Sequence, residues 1–327
     1  MFYGSAVTYP DQREALVREL RSRGLGAYVE HLVALTRPAA LFLPTPIPDA
    51  EIGIGRSKIG GWPDLPPGVD WPTADVATFS SWNDFAVTGT YRIPFLLQID
   101  LADLGDIELD IDLPRRGLLS VFHGADHHEV HGDRYEGVRP GWSVRFFEEG
   151  VPLARRSLEP GFAEAGAADR PEVTFLGQLL RPSQITTLPY VFDSFPLGSG
   201  TLADRDSDSM FEFPDTDWTQ NAVRVGGHAW ATGNGEPLSL TAPRRLHQEG
   251  SDAYRSMDEL RVEGWRHLLS MSSREYWDEF PDQGELHVDY VSPTFGGDGV
   301  MGIYLRTRGH HWLDPDVLHH AVASVVR

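Results

Sequence analysis

Two strings in the chain carry adjacent glycines behind a short β-type run: Ser57-Lys58-Ile59-Gly60-Gly61-Trp62-Pro63 and Val223-Arg224-Val225-Gly226-Gly227-His228. Two glycines in a row let the backbone enter positive φ and turn sharply, or let another group approach more closely than a Cβ would allow. Each string is followed in the same order by a run with a double leucine and then by a glycine-led apolar run. In the first half these are Phe95-Leu96-Leu97-Gln98-Ile99-Asp100 and Gly117 to Phe122; in the second they are Trp265-Arg266-His267-Leu268-Leu269-Ser270 and Gly299 to Leu305. The glycine pair lies 36 residues before the double leucine in the first half (60 to 96) and 42 before it in the second (226 to 268). A duplicated unit with loop insertions leaves this record of shared order and similar spacing. The fold expected is mainly β with flanking helices (α+β), in pseudo-duplicated roll-like or sandwich-like lobes.

The flanking segments divide the chain further. Between Asp11 and Leu35, the apolar residues Ala15, Leu16, Leu20, Tyr28, Val29, Leu32 and Val33 recur at helical spacing, interrupted at Gly24 and Gly26, which predicts an N-terminal helical pair. Ala39 to Leu43 reads as a buried strand closed by Pro44, Pro46 and Pro48. The polar stretch 159–172, with alanine and glycine between scattered charges, reads as a linker. The expected organisation is helices and first strand over 1–50, a first β-rich lobe over 51–158, the linker, and a second β-rich lobe over 173–327, all in one compact unit. Within the last segment, Ser256 to Ser270 reads as helical before its strand. Asp314 to Val326 reads as a closing helix, with Asp314 as N-cap and Pro315 in the first turn.

Composition excludes several function classes. The chain has no cysteine, so thiolate catalysis, disulfides and cysteine-ligated zinc are ruled out, and a reducing, cytoplasmic setting is expected. With 28 basic and 48 acidic residues the formal charge is −20, the wrong field for holding a phosphate backbone, so no nucleic acid is expected as a partner. The same field suits a basic protein partner, set against the plain reading that an acidic surface keeps a protein soluble. Met1 to Pro10 has neither a basic nor an apolar region, and the longest apolar runs are far short of a membrane span; no leader and no membrane association are expected. Oligomeric state is not legible.

The Ser57-Lys58-Ile59-Gly60-Gly61-Trp62-Pro63 string, the Leu96-Leu97-Gln98-Ile99-Asp100-Leu101 strand and the later Gly297-Asp298-Gly299 string resemble the YwqG-like family, a domain of unknown function. The resemblance covers roughly Ile52 to Leu305. It implies a mainly β, roll-like fold in pseudo-duplicated lobes and brings no established activity. Where members carry a Gly-Gly-Tyr-Pro-like string in the second half, this chain has Gly226-Gly227-His228-Ala229, and Ser270 stands where members tend to keep a glutamine.

Lys58 and Gln98 are polar side chains inside apolar, motif-bearing strings, so each needs a partner. One reading has Gln98 satisfying backbone in the core and Lys58 reaching its ammonium to the surface. The other gathers Lys58, Gly60, Gly61, Gln98 and Asp100, with the second-half counterparts His228 and Asp298, around a ligand in a cleft between lobes. Asp100 and Asp103 are then general acid or base with Lys58, or else turn caps after the strand. His123, His127, His128 and His131, with Asp126, Glu129 and Asp133, put seven candidate metal ligands within eleven positions, though as a hairpin loop these residues would be solvated. Asp204, Asp206 and Asp208 space like a calcium loop but lack its sixth-position glycine and twelfth-position glutamate. No phosphate-binding glycine loop, serine-hydrolase elbow or zincin helix motif is present. No cofactor is expected. The leading reading is a non-enzymatic, protein-binding module of possible immunity type, and the alternative is an enzyme or small-ligand binder built on Lys58, Gln98 and Asp100.

Overall fold

The computed structural model describes residues 9–22, 24, 26–79, 86–93, 95–123, 142–156, 177–188, 212–213, 222–228, 265–273, 299–306 and 322–326. Two helices, α1 (Tyr9–Ser22) and α2 (Val29–Leu35), precede β1 (Arg37–Pro46). There follow β2 (Lys58–Ile59), β3 (Asp64–Leu65), β4 (Thr73–Phe79), β5 (Ala86–Arg92), β6 (Phe95–Asp100), β7 (Leu118–His123), β8 (Trp142–Phe147) and β9 (Ala154–Arg155). The remaining strands are β10 (Gln178–Thr187), β11 (Glu212–Phe213), β12 (Val223–Gly226), β13 (Trp265–Ser273), β14 (Gly299–Arg306) and β15 (Val322–Val326). The fold is mainly β with flanking helices.

Eleven strands form one antiparallel sheet in the order β15-β14-β13-β12-β1-β10-β2-β6-β7-β8, with β11 added on β10; β3 with β9 and β4 with β5 form two small ribbons. Read inward from either end, the order is the same. The strand that leads into a glycine pair, β2 or β12, is flanked on its outer side by the double-leucine strand and on its inner side by a long strand from the other half of the chain. Thus β12 pairs with β1, and β2 pairs with β10. The two long strands, β1 and β10, pair with each other along their whole length, Arg37 opposite Thr187 and Pro46 opposite Gln178.

The central place of β1 follows from its sequence. Ala39, Ala40, Leu41 and Phe42 are consecutive and all buried, so both faces of the strand need apolar cover, which an edge strand would not provide. On one face Ala40 and Phe42 join a core drawn from both halves, including Ile59, Leu97, Val225, Leu269 and Ile303. On the other, Ala39 and Leu41 meet Ile185 and Ala222. Helix α1 docks through Gln12, which accepts from Thr186 Oγ1 at 3.0 Å and donates to the Gln184 carbonyl.

The double leucines share a backbone feature. The ladder register slips between Phe95 and Leu97 in β6 and between His267 and Leu269 in β13, which places the irregularity at the first leucine of each pair. Leu96, Leu97, Leu268 and Leu269 are all fully buried. Bulges of this kind re-aim side chains that strict alternation would send to opposite faces.

At the C-terminus the structure corrects the sequence reading. Val322–Val326 is a strand paired with β14, not the end of a helix. Three valines in five residues suit a pleated neighbour, and β14 offers an open ladder; that tertiary partner outweighs the helical spacing of Leu318, Val322 and Val325. For the same reason the segment read as helical up to Ser270 is already strand from Trp265, where β14 pairs with it.

Candidate functional site

Lys58 is fully buried on β2 directly opposite Gln98 on β6. It does not reach the surface. Its Nζ donates to Asp49 Oδ1 at 3.0 Å and to the Trp62 carbonyl, lies 4.0 Å from Asp64 Oδ1, and stands over the Phe95 ring 5.8 Å from its centroid. Burial pulls the Lys58 ammonium below the ordinary lysine value; Asp64 and Asp49 oppose that shift, and Arg155 adds to it.

Asp64, at the start of β3, is buried and engaged through both oxygens. Its Oδ1 meets Arg155 Nε at 3.0 Å, and its Oδ2 accepts from Gly55 N at 2.8 Å and from Gln98 Nε2 at 2.7 Å. Gln98 Nε2 also donates to the Arg56 carbonyl at 2.9 Å, and its Oε1 accepts from Asp64 N at 3.1 Å. Arg155 on β9 closes the circuit, reaching Asp49 Oδ2 at 3.3 Å, the Asp49 carbonyl, and the Ile52 carbonyl at 2.9 Å. Two cations and two carboxylates therefore balance inside the fold, with Gln98 bridging them to backbone.

The glycine pairs have a common task. All four glycines hold positive φ, between 66° and 73°. A Cβ on Gly61 would collide with the Asp49 carboxylate, which also presses on Gly177. In the second half, Asp110 Oδ1 lies 3.0 Å from where a Gly226 Cβ would stand and accepts from Gly227 N at 2.6 Å. Each glycine pair thus lets an aspartate of the same chain come closer than a Cβ would allow, and in the second pair a backbone amide also donates to that carboxylate, whereas Gly60 N donates to the Leu96 carbonyl at 2.8 Å.

Asp110 comes from a strap, residues 105–113, that crosses from the end of β6 toward the second half. Ile107, Leu109 and Ile111 pack on the shared core, while the acidic residues alternate with them. The Gln184 side chain holds the strap as a ladder partner would: Oε1 accepts from Glu108 N at 2.8 Å and Nε2 donates to the Glu108 carbonyl at 3.2 Å. Arg37 adds an ion pair to Asp110 at 3.4 Å. Burial nonetheless raises the Asp110 carboxyl above the ordinary range, against the Gly227 amide and Arg37.

Asp100 stands apart from Lys58 and caps the turn Leu101–Leu104, its carboxylate accepting from Ala102 N at 3.0 Å. Burial raises its pKa, and Asp103 adds to the rise. Ser57 ties the same corner, donating to Asp103 at 2.7 Å and accepting from Asp100 N at 2.8 Å.

In the second half Arg224 occupies the place of Lys58 and Ser270 that of Gln98, opposite one another on β12 and β13. Arg224 Nη1 donates to the His228 carbonyl at 2.5 Å, as Lys58 donates to Trp62, four residues on in both cases. His228 is buried, its N donating to Thr187 Oγ1 at 3.0 Å and its Nε2 paired with the Leu35 carbonyl at 2.8 Å, so it joins β12 to β10 and the end of α2. His267 bonds Ser270 Oγ at 2.5 Å through Nε2 and the Gly227 carbonyl at 3.3 Å through Nδ1; desolvation, with the Arg224 charge, lowers its pKa to about 3.

The structure thus brings Lys58, Gly60, Gly61 and Gln98 together, and sets Asp100 and His228 in separate places. His123 ends β7, opposite Trp142. His127, His128, His131 and Asp298 lie outside the described residues, as do Asp204, Asp206 and Asp208. Among the described residues no three of His, Asp or Glu converge to hold a metal.

Residues 57–292 match the model of a family described as a domain of unknown function, DUF1963. The chain belongs to the DUF1963 family. The matched span opens at Ser57, beside Lys58, and contains both glycine pairs and both double leucines. No curated protein matches the chain. Three residues of this DUF1963 site were not singled out by the sequence: Asp49, Asp64 and Arg155. Asp110 was also missed, although its strap carries a legible signal in the alternation Asp106-Ile107-Glu108-Leu109-Asp110-Ile111-Asp112-Leu113.

Proposed function

We propose that this protein is a non-enzymatic, cytoplasmic binding module of the YwqG-like type, made of two copies of one β unit, whose acidic surface receives a basic protein partner in the manner of an immunity protein. One observation carries the reading: Lys58, Gln98, Asp64 and Arg155, the polar groups at the heart of the first unit, take their partners from within the chain. A ligand site keeps donors or acceptors in reserve for the ligand, whereas a self-satisfied network sets the geometry of the fold. Recognition then falls to the surface, where the net charge of −20 favours a cationic partner and speeds its approach at low salt.

The test is affinity purification from the native cell at low and at high salt. A stoichiometric basic protein retained at low salt and shed at high salt supports the reading. Recovery of no stoichiometric partner at low salt overturns it.

A further inference from the structure

We propose that Lys58 and Asp49 form an intramolecular isopeptide bond, with Asp64 as the proton carrier. The observations are the Nζ to Oδ1 distance of 3.0 Å, the complete burial of Lys58, and a second carboxylate, Asp64 Oδ1, 4.0 Å from the same nitrogen. Arg155 Nη1 is 3.3 Å from Asp49 Oδ2.

Each group has a role in the condensation. Burial favours the neutral amine, which is the nucleophile. The Trp62 carbonyl and the Phe95 ring fix where Nζ points, so the reacting groups are held in contact. Nζ attacks Asp49 Cγ; the new bond is C–N, and negative charge gathers on Oδ2, where the Arg155 guanidinium stabilises it. The Cγ–Oδ1 bond then breaks. Asp64 takes protons from nitrogen and passes them to Oδ1, which departs as water. An ammonium and a carboxylate become an amide and one water, so atoms and charge balance with no oxidant, reductant or further reactant.

The product is electrostatically simpler than the starting network. One cation and one anion vanish together, leaving Arg155 and Asp64 as a single pair at 3.0 Å. That removes one fully buried charge and one half-buried charge whose desolvation opposes folding.

The decisive measurement is the intact mass of the purified full-length chain, followed by peptide mapping after trypsin. Arg56 lies between the two residues, so cleavage there places Asp49 and Lys58 in separate peptides unless they are joined. The expected result is a mass one water below that of the sequence and a branched peptide linking Asp49 to Lys58. Asp64→Asn, which keeps the size of the side chain, should carry the full mass while its circular dichroism stays that of the wild type. Asp49→Asn should lose ammonia in place of water. A wild-type chain at full mass overturns the proposal, and so does a lost water that maps to any other residues.

Discussion

Asp110 accepts the backbone N–H of Gly227 at 2.6 Å, and so ties the strap of the first half to the glycine pair of the second. Burial raises this carboxyl, so the folded chain binds its proton more tightly than the unfolded chain, whose carboxyl titrates near about 3.9. The contribution of Asp110 to stability is therefore full below that value and declines as pH rises through the higher folded value. Urea titrations of the wild type and Asp110→Asn across this range should differ increasingly in favour of the wild type toward acid. A difference that shrank on acidification would contradict the assignment.

Gly61→Ala should be far more costly than Gly68→Ala. Both positions hold positive φ, 68° and 80°, so both substitutions carry the left-handed penalty of about 1–2 kcal/mol. Only at Gly61 does the new Cβ also meet the Asp49 carboxylate, while Gly68 has open space around it. Equal losses in the two variants would show that Asp49 does not sit against the glycine.

Replacing Lys58 by Met leaves two carboxylates facing Arg155 alone. Breaking a buried charge network by removing one partner costs about 3–5 kcal/mol. Arg56 offers an internal comparison, because its side chain is 52% exposed and its pairs with Asp100 and Asp103 lie at the surface. Arg56→Ala should cost no more than about 1 kcal/mol. Chemical denaturation of the two variants ranks them, and a mild Lys58→Met would remove the network from among the determinants of the fold.

His267 should stay neutral through the range where free imidazoles titrate. Its folded pKa of about 3 is below the ordinary value, so its contribution to stability is present above about pH 6.5 and is lost as pH falls from there toward the folded value. Ring-proton chemical shifts followed by NMR from about pH 8 to 5 should be flat for His267. An inflection near 6.5 would place the ring in solvent.

Much of the sheet could be read from sequence because its signals are local. Phe95 to Asp100, Leu118 to Phe122, Val223 to Gly226 and Gly299 to Leu305 are short apolar runs, the first preceded by Pro94 and the others with glycine at one end, and all are strands. The glycine pairs announced positive φ and have it. What eluded sequence reasoning depends on distant segments. Arg155 sits in a two-residue strand 106 positions from Asp49, and no local pattern links them. Lys58 is consistent with a surface lysine until Asp49, Asp64 and the Trp62 carbonyl are known to enclose it. Val322–Val326 carries a helical spacing and becomes a strand because β14 lies beside it.

The interleaving of β1 between β10 and β12 bears on how the chain is made. Synthesis proceeds from the N-terminus, so β1 leaves the ribosome before either of its neighbours exists; Leu41 must wait for Ser183, 142 positions later. Until then Ala39 to Phe42 is an apolar strand with two open edges, the kind of segment that recruits other chains. Because its partners arrive so late, the first half cannot complete its own sheet until β10 has emerged, and the nascent chain depends on holding that segment apart until then.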